Sequence, residues 1–341
     1  MFRMATADDV PRILEIVSNG REHLRAQGLP QWQDGYGPAL ELIEAQVGAR
    51  HGYVVALEGR ALGYAALIPG PEAEYESASC WGVSVGAYTA IHTVAVGAEA
   101  RGKGIGRTII KNLLDQSYAL GYLDVRADTH PQNTTMKSLL STLGFAQCGD
   151  IMLDIPNGER VAYQHVLPEP RTPYLRISSP LDIDAAEAVI DSARSFLREQ
   201  GLPQWQGGYG PNRDSVALAV GTGAAYVLVD NGKIHGYASL DPGPDHDYEA
   251  VEPWRKPRST GGYTVINNIS ISTPKRGYGS LLLARITEIS KLQGFAEVRS
   301  CTHKDNQIMR HSFLKAGLTE ACTMRLDVPS GERIGYQMIL D

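Results

Sequence analysis

Val94-Ala95-Val96-Gly97-Ala98-Glu99-Ala100-Arg101-Gly102-Lys103-Gly104-Ile105-Gly106 joins two kinds of pattern. The residues before it, Tyr88–Val96, form a β-rich run, and Ile105, Ile109, Leu113 and Leu114 after it stripe one face of a helix that stops by Gly121. Glycines at 102, 104 and 106 let the backbone approach a ligand closely. The helix that follows offers unpaired N–H groups and the positive end of its dipole. The stretch therefore predicts an anion site, with pyrophosphate as the natural ligand; a plain strand–helix turn would use the same glycines. Two nucleotide fingerprints fail on spacing: GxxxxGK[ST] is absent, and GKGIGR lacks the third glycine of GxGxxG.

Working outward, Phe2–Ala5 predicts a short strand, and Thr6 caps a helix with Asp9 at the capping-box position. Ile13, Val17 and Leu24 keep helical spacing as far as Gly28-Leu29-Pro30, and a second helix is expected after Pro38. Tyr53–Leu57 and Ala61–Ile68 read as a hairpin, followed by a Pro/Gly loop. Beyond the glycine turn come a strand at Leu123–Ala127, a helix at Asn133–Leu143, and strands near 147–155 and 160–167. This order predicts an α+β three-layer fold, a mixed, mostly antiparallel sheet flanked by helices.

The pattern is written twice. RAQGLPQWQDGYGP at 25–38 returns as REQGLPQWQGGYGP at 198–211, identical at 12 of 14 positions. GYAALIPGPEAEYE at 63–76 and MLDIPNGERVAYQ at 152–164 also return, each 173 residues later. The repeat is a whole domain. Pro168-Glu169-Pro170-Arg171-Thr172-Pro173 cannot continue a helix or a central strand. The expected organisation is a first domain at 1–167, a linker at 168–173 and a second domain at 174–341.

Composition bounds the function. The 341 residues carry 43% hydrophobic and 21% charged side chains, close to globular averages. With 32 Lys and Arg against 38 Asp and Glu, the net charge of −6 argues against holding a nucleic acid by bulk charge. The four cysteines form no CxxC pair, so neither a disulfide framework nor a zinc site is expected. The N-terminus has no apolar signal core, and no window approaches the ~20 apolar residues of a membrane span. A cytoplasmic protein is expected, without membrane, nucleic acid or metal partners, as a monomer or homodimer.

The glycine turn resembles the [QR]xxGx[GA] motif of the GCN5-related N-acetyltransferase family through Arg101, Gly104 and Gly106. The family's later N-x-x-A-x-x-L-Y-x-x-x-G-F helix is similar to Asn133, Met136, Leu139, Leu140, Gly144 and Phe145. The resemblance covers essentially the whole chain, once in each copy, and implies two tandem domains of that family. It implies acetyl-CoA as donor, and the leading reading is transfer of the acetyl group to a small-molecule amine. Val94 and Val96 would pair with the pantetheine arm by their main chains. Arg101, Gly102, Lys103, Gly104, Ile105, Gly106 and Arg107 would hold the pyrophosphate, and Asn133 would contact the cofactor. In the second copy, Ile271, Arg276, Gly277, Gly279, Ser280 and Asn306 would form a weaker counterpart. Its loop aligns either through Gly277 and Gly279, two residues shorter than the first, or through Arg276. Layout and length are also similar to the tandem acetyltransferases of clavulanic acid biosynthesis.

The family's glutamate base falls at Ala90 and Val265, and its tyrosine acid at Leu140 and Phe313, so both groups are missing from both copies. His92, on the strand face of Ala90, and His130 and His303, past the end of the next strand, are the candidate acid–base groups. Each could equally be a structural histidine. Asn267 replaces His92 in the second copy and Cys301 replaces Asp128. Trp32, Tyr36 and Tyr75 are candidates to line the acceptor site, and the acidic segment Glu72–Glu76 suits a cationic amine. Other functions stay open: a non-catalytic acyl-CoA-binding sensor or scaffold, an antibiotic-pathway acyltransferase using the C-terminal domain with another acyl-CoA, and acetylation of a protein or histone.

Overall fold

The computed structural model describes residues 1–82, 87–251, 254–255, 260–274 and 276–340. The chain divides into two compact units, Met1–Pro168 and Glu169–Asp341. Each carries a seven-stranded mixed sheet flanked by helices.

The first unit begins with β1 (Phe2–Met4), where Arg3 pairs with Asp9 at 2.6 Å. The Asp9 carboxylate also accepts from the Thr6 amide, closing the expected capping box ahead of α1 (Val10–Ala26). There follow α2 (Leu40–Gly48), the hairpin β2 (Gly52–Leu57) and β3 (Arg60–Pro69), and a helical turn α3 (Ala73–Glu76). Next come β4 (Tyr88–Val96), α4 (Ile105–Ala119), β5 (Asp124–Thr129), α5 (Thr134–Thr142), β6 (Ala146–Met152) and β7 (Glu159–Val166). Sheet order is β1-β2-β3-β4-β5-β7-β6, and only β4 and β5 run parallel.

Alternation along β2 divides the core into two layers. Val54 joins Ile13, Ile16 and Val17 of α1 on one face. Tyr53 and Val55 join Ile109, Ile110 and Leu113 of α4 on the other. Ile13, Ile16, Ile109 and Ile110 are fully buried, and each such side chain contributes about 1.5–3 kcal/mol.

The second unit repeats the order with β10 (Lys233–Pro242), the helical turn α8 (His246–Glu249), β11 (Tyr263–Ile271), α9 (Tyr278–Leu292), β12 (Glu297–His303) and α10 (Gln307–Lys315). With β8 (Tyr174–Ile177), β9 (Ala225–Asp230), β13 (Thr319–Arg325) and β14 (Glu332–Ile339), its sheet order is β13-β14-β12-β11-β10-β9-β8. The structure selects one of the two loop alignments. Gly277 stands before α9 at φ 77°, as Gly104 stands before α4 at φ 77°, and both helices have 15 residues. Gly277 therefore matches Gly104, and the described residues of the second loop form no counterpart of the 3-10 turn Ala98–Ala100. Of that loop, Lys275 lies outside the described residues.

Two local expectations change. Residues 73–76, read as loop, form a helical turn because Tyr75 is buried beneath it and anchors it. Asp128 and Thr129 lie within β5, not beyond it, because β7 continues to pair with them: Asp128 with Ala162 and Thr129 with Val161. No helix among the described residues is long and apolar enough to cross a membrane.

Candidate active site

The site begins where two parallel strands part. β4 and β5 pair from Tyr88 and Asp124 to Ile91 and Ala127, after which β4 continues to Val96 without β5 beside it. At the parting point Thr93 takes φ 56°, a left-handed conformation uncommon for a β-branched residue, and the register with β3 slips. The bulge reverses the alternation: Ile91 and Val94 pack toward α4, whereas Ala95 packs toward α1. Val94 and Val96 thus border a wedge whose exposed β4 backbone can take an extended ligand as an added strand.

The wedge opens into a cavity of about 960 Å³. One wall is the 100–107 turn, where Gly104 caps α4 at φ 77°. The first backbone bond of α4 runs from Thr108 N to Gly104 O at 3.0 Å, so the amides of Ile105, Gly106 and Arg107 precede it. A Cβ added to Gly106 would meet Leu139 at 3.5 Å and Val96 at 3.8 Å, so even a methyl group there narrows the space between turn and wedge. Arg101 Nη2 donates to Asn19 O at 2.5 Å and ties the turn to α1. These residues fit a diphosphate: the first amides of α4 stand at its N-terminus, Arg101, Gly102, Gly104, Ile105, Gly106 and Arg107 all line the cavity, and the carboxylates that line it, Glu72, Glu74 and Asp128, belong to the other wall. Lys103 is not among the lining residues.

The other wall holds the titratable groups. His92 Nε2 lies 3.0 Å from both carboxylate oxygens of Glu72, which precedes α3. Tyr75 of α3 donates to Asp128 Oδ1 at 2.7 Å, and Arg160 Nε lies 3.4 Å from Asp128 Oδ2. The Tyr75 and His92 rings are 5.9 Å apart, so the two pairs form one cluster. Burial alone would lower the His92 pKa, but the Glu72 hydrogen bond and the charges of Glu72, Asp128 and Glu74 outweigh it and raise it. Burial, then the Asp128 charge and hydrogen bond, push the Tyr75 hydroxyl well above its ordinary range.

The other histidines are placed differently. His130 is buried, its Nδ1 accepts from the Gln132 amide at 3.3 Å, and it is not among the cavity-lining residues. His303 repeats this with the Asp305 amide at 3.3 Å. Burial, then Arg160, holds the His130 pKa down; burial and Arg333 do the same at His303. Each ring nitrogen thus accepts from an amide of the turn that follows its strand.

Asn133 lines the cavity, but its side chain is engaged within the protein, Oδ1 by Met136 N at 3.1 Å and Nδ2 by Gln31 Oε1 at 3.1 Å. Asn306 repeats the cap with Met309 N. Thr129, 1% exposed and also lining the cavity, has a hydroxyl without a hydrogen-bond partner among the described residues. Trp32, Tyr36 and Tyr75 line the cavity, and Trp32 also packs against the α1 layer. Ala90, Val265, Leu140 and Phe313 are fully buried core residues.

In the second unit the cluster is dismantled. Asn267 stands for His92 and donates to Asp241 at 3.0 Å. Cys301 stands for Asp128, and its thiol rather than a carboxylate meets the buried Tyr248 hydroxyl. A cavity of about 500 Å³ lies elsewhere in this unit, between α6 (Ile183–Glu199), residues 232–234 and Ser272. Of the second-copy candidates, Gly277 caps α9; Gly279 and Ser280 follow in its first turn, and Ile271 ends β11. Sequence reasoning missed the pairing of Glu72 with His92 and the place of Arg160. The signal was present: Glu72, His92 and Asp128 all change between copies, to Asp245, Asn267 and Cys301, while Tyr75 stays tyrosine.

The model of the acetyltransferase (GNAT) family matches residues 18–145. No match was found among curated proteins. Among solved structures, the chain is similar to a GNAT-family acetyltransferase from Streptococcus agalactiae 2603, at 29% identity over 50% of this chain and 96% of that one, with a TM-score of 0.45. It is similar to ribosomal-protein-alanine N-acetyltransferase from Brucella melitensis, at 23% identity over 49% and 99%, TM-score 0.38. It is similar also to the Salmonella typhimurium protein yncA, solved with its cofactor acetyl-CoA, at 20% identity over 50% and 95%, TM-score 0.37. The matched residues 18–145 run from α1 through the Gly104 turn to Phe145, so the first unit carries the sequence pattern of the acetyltransferase (GNAT) family.

Proposed function

We propose that the first unit moves an acetyl group from acetyl-CoA to a small-molecule amine. The observation that carries this reading is the wedge between β4 and β5, which leads from the His92 cluster to the amides of the Gly104 turn through one cavity of about 960 Å³. In this reading the turn from Arg101 to Arg107 holds the pyrophosphate, and the β4 backbone at Val94 and Val96 aligns the pantetheine arm. A β4 amide then stabilises the charge that develops on the thioester oxygen. His92 is the base that relieves the attacking amine of its proton, and Trp32, Tyr36 and Tyr75 border the acceptor. The second unit keeps the left-handed glycine and helix start but lacks the His92 cluster, which supports coenzyme binding of a weaker or altered kind without the same proton chemistry.

The test is acetyl transfer from acetyl-CoA to a panel of small amines, followed by release of the free thiol. The proposal expects turnover that His92→Ala lowers by about 10²-fold, the usual scale of a general base. Transfer undiminished in His92→Ala would remove His92 from the mechanism, and no transfer to any amine would favour the binding-only alternative.

A further inference from the structure

The backbone places Glu72 and Asp245 alike. Each precedes a four-residue helical turn, α3 or α8, and each amide donates to a tyrosine hydroxyl, Glu72 N to Tyr88 at 2.8 Å and Asp245 N to Tyr263 at 2.9 Å. Their side chains part company. Asp245 does what an acidic N-cap residue ordinarily does: Oδ1 accepts from the Asp247 amide at 3.0 Å and the Tyr248 amide at 3.4 Å. Glu72 makes no cap bond, and its longer side chain reaches across to His92 on β4. Where the helical turn is capped, the position facing it is Asn267, and where it is left uncapped, the position is His92. The same fold stands both ways, so folding does not require the Glu72–His92 contact.

We propose that Glu72 is a positioning residue for acyl transfer, accepting a hydrogen bond from His92 Nε2 and so leaving Nδ1 as the nitrogen that takes the acceptor amine's proton. This rests on the transferase reading above. A carboxylate only accepts, so the neutral imidazole facing it carries its hydrogen on Nε2 and its lone pair on Nδ1. The amine nitrogen bonds to the thioester carbon, the carbon–sulfur bond breaks, and the bonding pair leaves with sulfur. One proton passes from nitrogen to Nδ1 and from there to the thiolate, so amine and acetyl-CoA become acetamide and CoA thiol. Glu72 keeps its charge and balances the imidazolium formed between those transfers. The groups facing His92 are Glu72 ahead of α3, Glu74 and Tyr75 on α3, and Asp128 on β5. Both partners are about one-quarter exposed and line the cavity, so the ring is open to a substrate.

The experiment is the pH profile of kcat/KM for the full chain and for Glu72→Gln, Glu72→Asp, His92→Ala and the Glu72→Gln/His92→Ala double variant. An NMR titration of the imidazoles accompanies it, with His92 assigned by its loss in His92→Ala. Glu72→Gln should shift the basic-form limb and the His92 midpoint together to lower pH and slow transfer by about tenfold. Glu72→Asp should restore part of both, and Glu72→Gln should cost nothing further once His92 is gone. A limb and a midpoint that Glu72→Gln leaves unmoved, or an equal cost in the His92→Ala background, overturns the inference and leaves the transferase reading intact. Absence of turnover in the unaltered protein overturns that reading, and the role of Glu72 with it.

Discussion

Gly104 sits at φ 77° and ψ 5°, where a side chain costs about 1–2 kcal/mol, and nothing lies within 4 Å of a Cβ built on it. Strain and space therefore separate cleanly there. Gly104→Ala should lower the stability of the first unit by about 1 kcal/mol, measured by urea unfolding, without a clash. Gly106 is the complement, because it has an ordinary helical conformation and an added methyl meets only Leu139 and Val96 at contact distance. Gly106→Leu should leave the melting temperature nearly unchanged while weakening acetyl-CoA binding by at least about tenfold, read by calorimetry. Unweakened binding in Gly106→Leu would mean that the ligand does not pass over this turn. Thr129 adds a third test: Thr129→Val removes a buried hydroxyl that has no partner among the described residues, so stability should hold or rise by up to about 1 kcal/mol. The glycines were legible in the sequence because they stand between a β-rich run and a helical stripe. The partner of His92 was not, since 20 residues separate it from Glu72 and only the fold of the intervening segment brings them together.

At the scale of elements, the same N-terminal device opens both units. Thr6 with Asp9 and Ser179 with Asp182 form capping boxes, and Arg3 and Arg176 pair with the two carboxylates. The Arg3 hydrogen bond holds the Asp9 carboxyl below its ordinary pKa; at Asp182 burial opposes the shift, but Arg176 outweighs it. A carboxyl depressed in the folded state adds stability above its unfolded pKa of about 3.9 and loses it as pH falls through the folded value. Asp9→Asn and Asp182→Asn should each cost about 1 kcal/mol at pH 7, and the deficit should close in acid below pH ~4, followed by chemical unfolding across pH. A deficit independent of pH would assign the loss to packing. These caps could be read from Thr-x-x-Asp and Ser-x-x-Asp alone, because a cap is local chemistry. The α3 turn could not, since Tyr75 stabilises it from beneath through Asp128, and a tertiary bond leaves no periodic trace in four residues.

Across the whole molecule, a duplicated fold has kept its scaffold and changed one set of side chains. The stack of Arg126 on Tyr88 recurs as Arg299 on Tyr263, and the hydrogen bond of Thr89 with Ser117 recurs as Thr264 with Ser290. The cluster of Glu72, His92 and Asp128 does not recur. The turns fixed by His130 and His303 belong to the shared scaffold, so His303→Ala should lower the melting temperature of the second unit and leave acetyl transfer unchanged. Loss of transfer in His303→Ala would move the chemistry into the second unit. The duplication was visible in the sequence because both copies preserve the same turn residues 173 positions apart. The direction of specialisation needed the structure, because Asp245 resembles Glu72 in charge and differs in what its carboxylate touches.

Native mass spectrometry of the full chain with acetyl-CoA, before and after Gly106→Leu, tests the central claim most directly. At least one equivalent should bind to the unaltered protein, and the tighter equivalent should be lost in Gly106→Leu while any weaker one stays. A chain that binds no coenzyme, or that binds it equally well with leucine at position 106, would contradict the account.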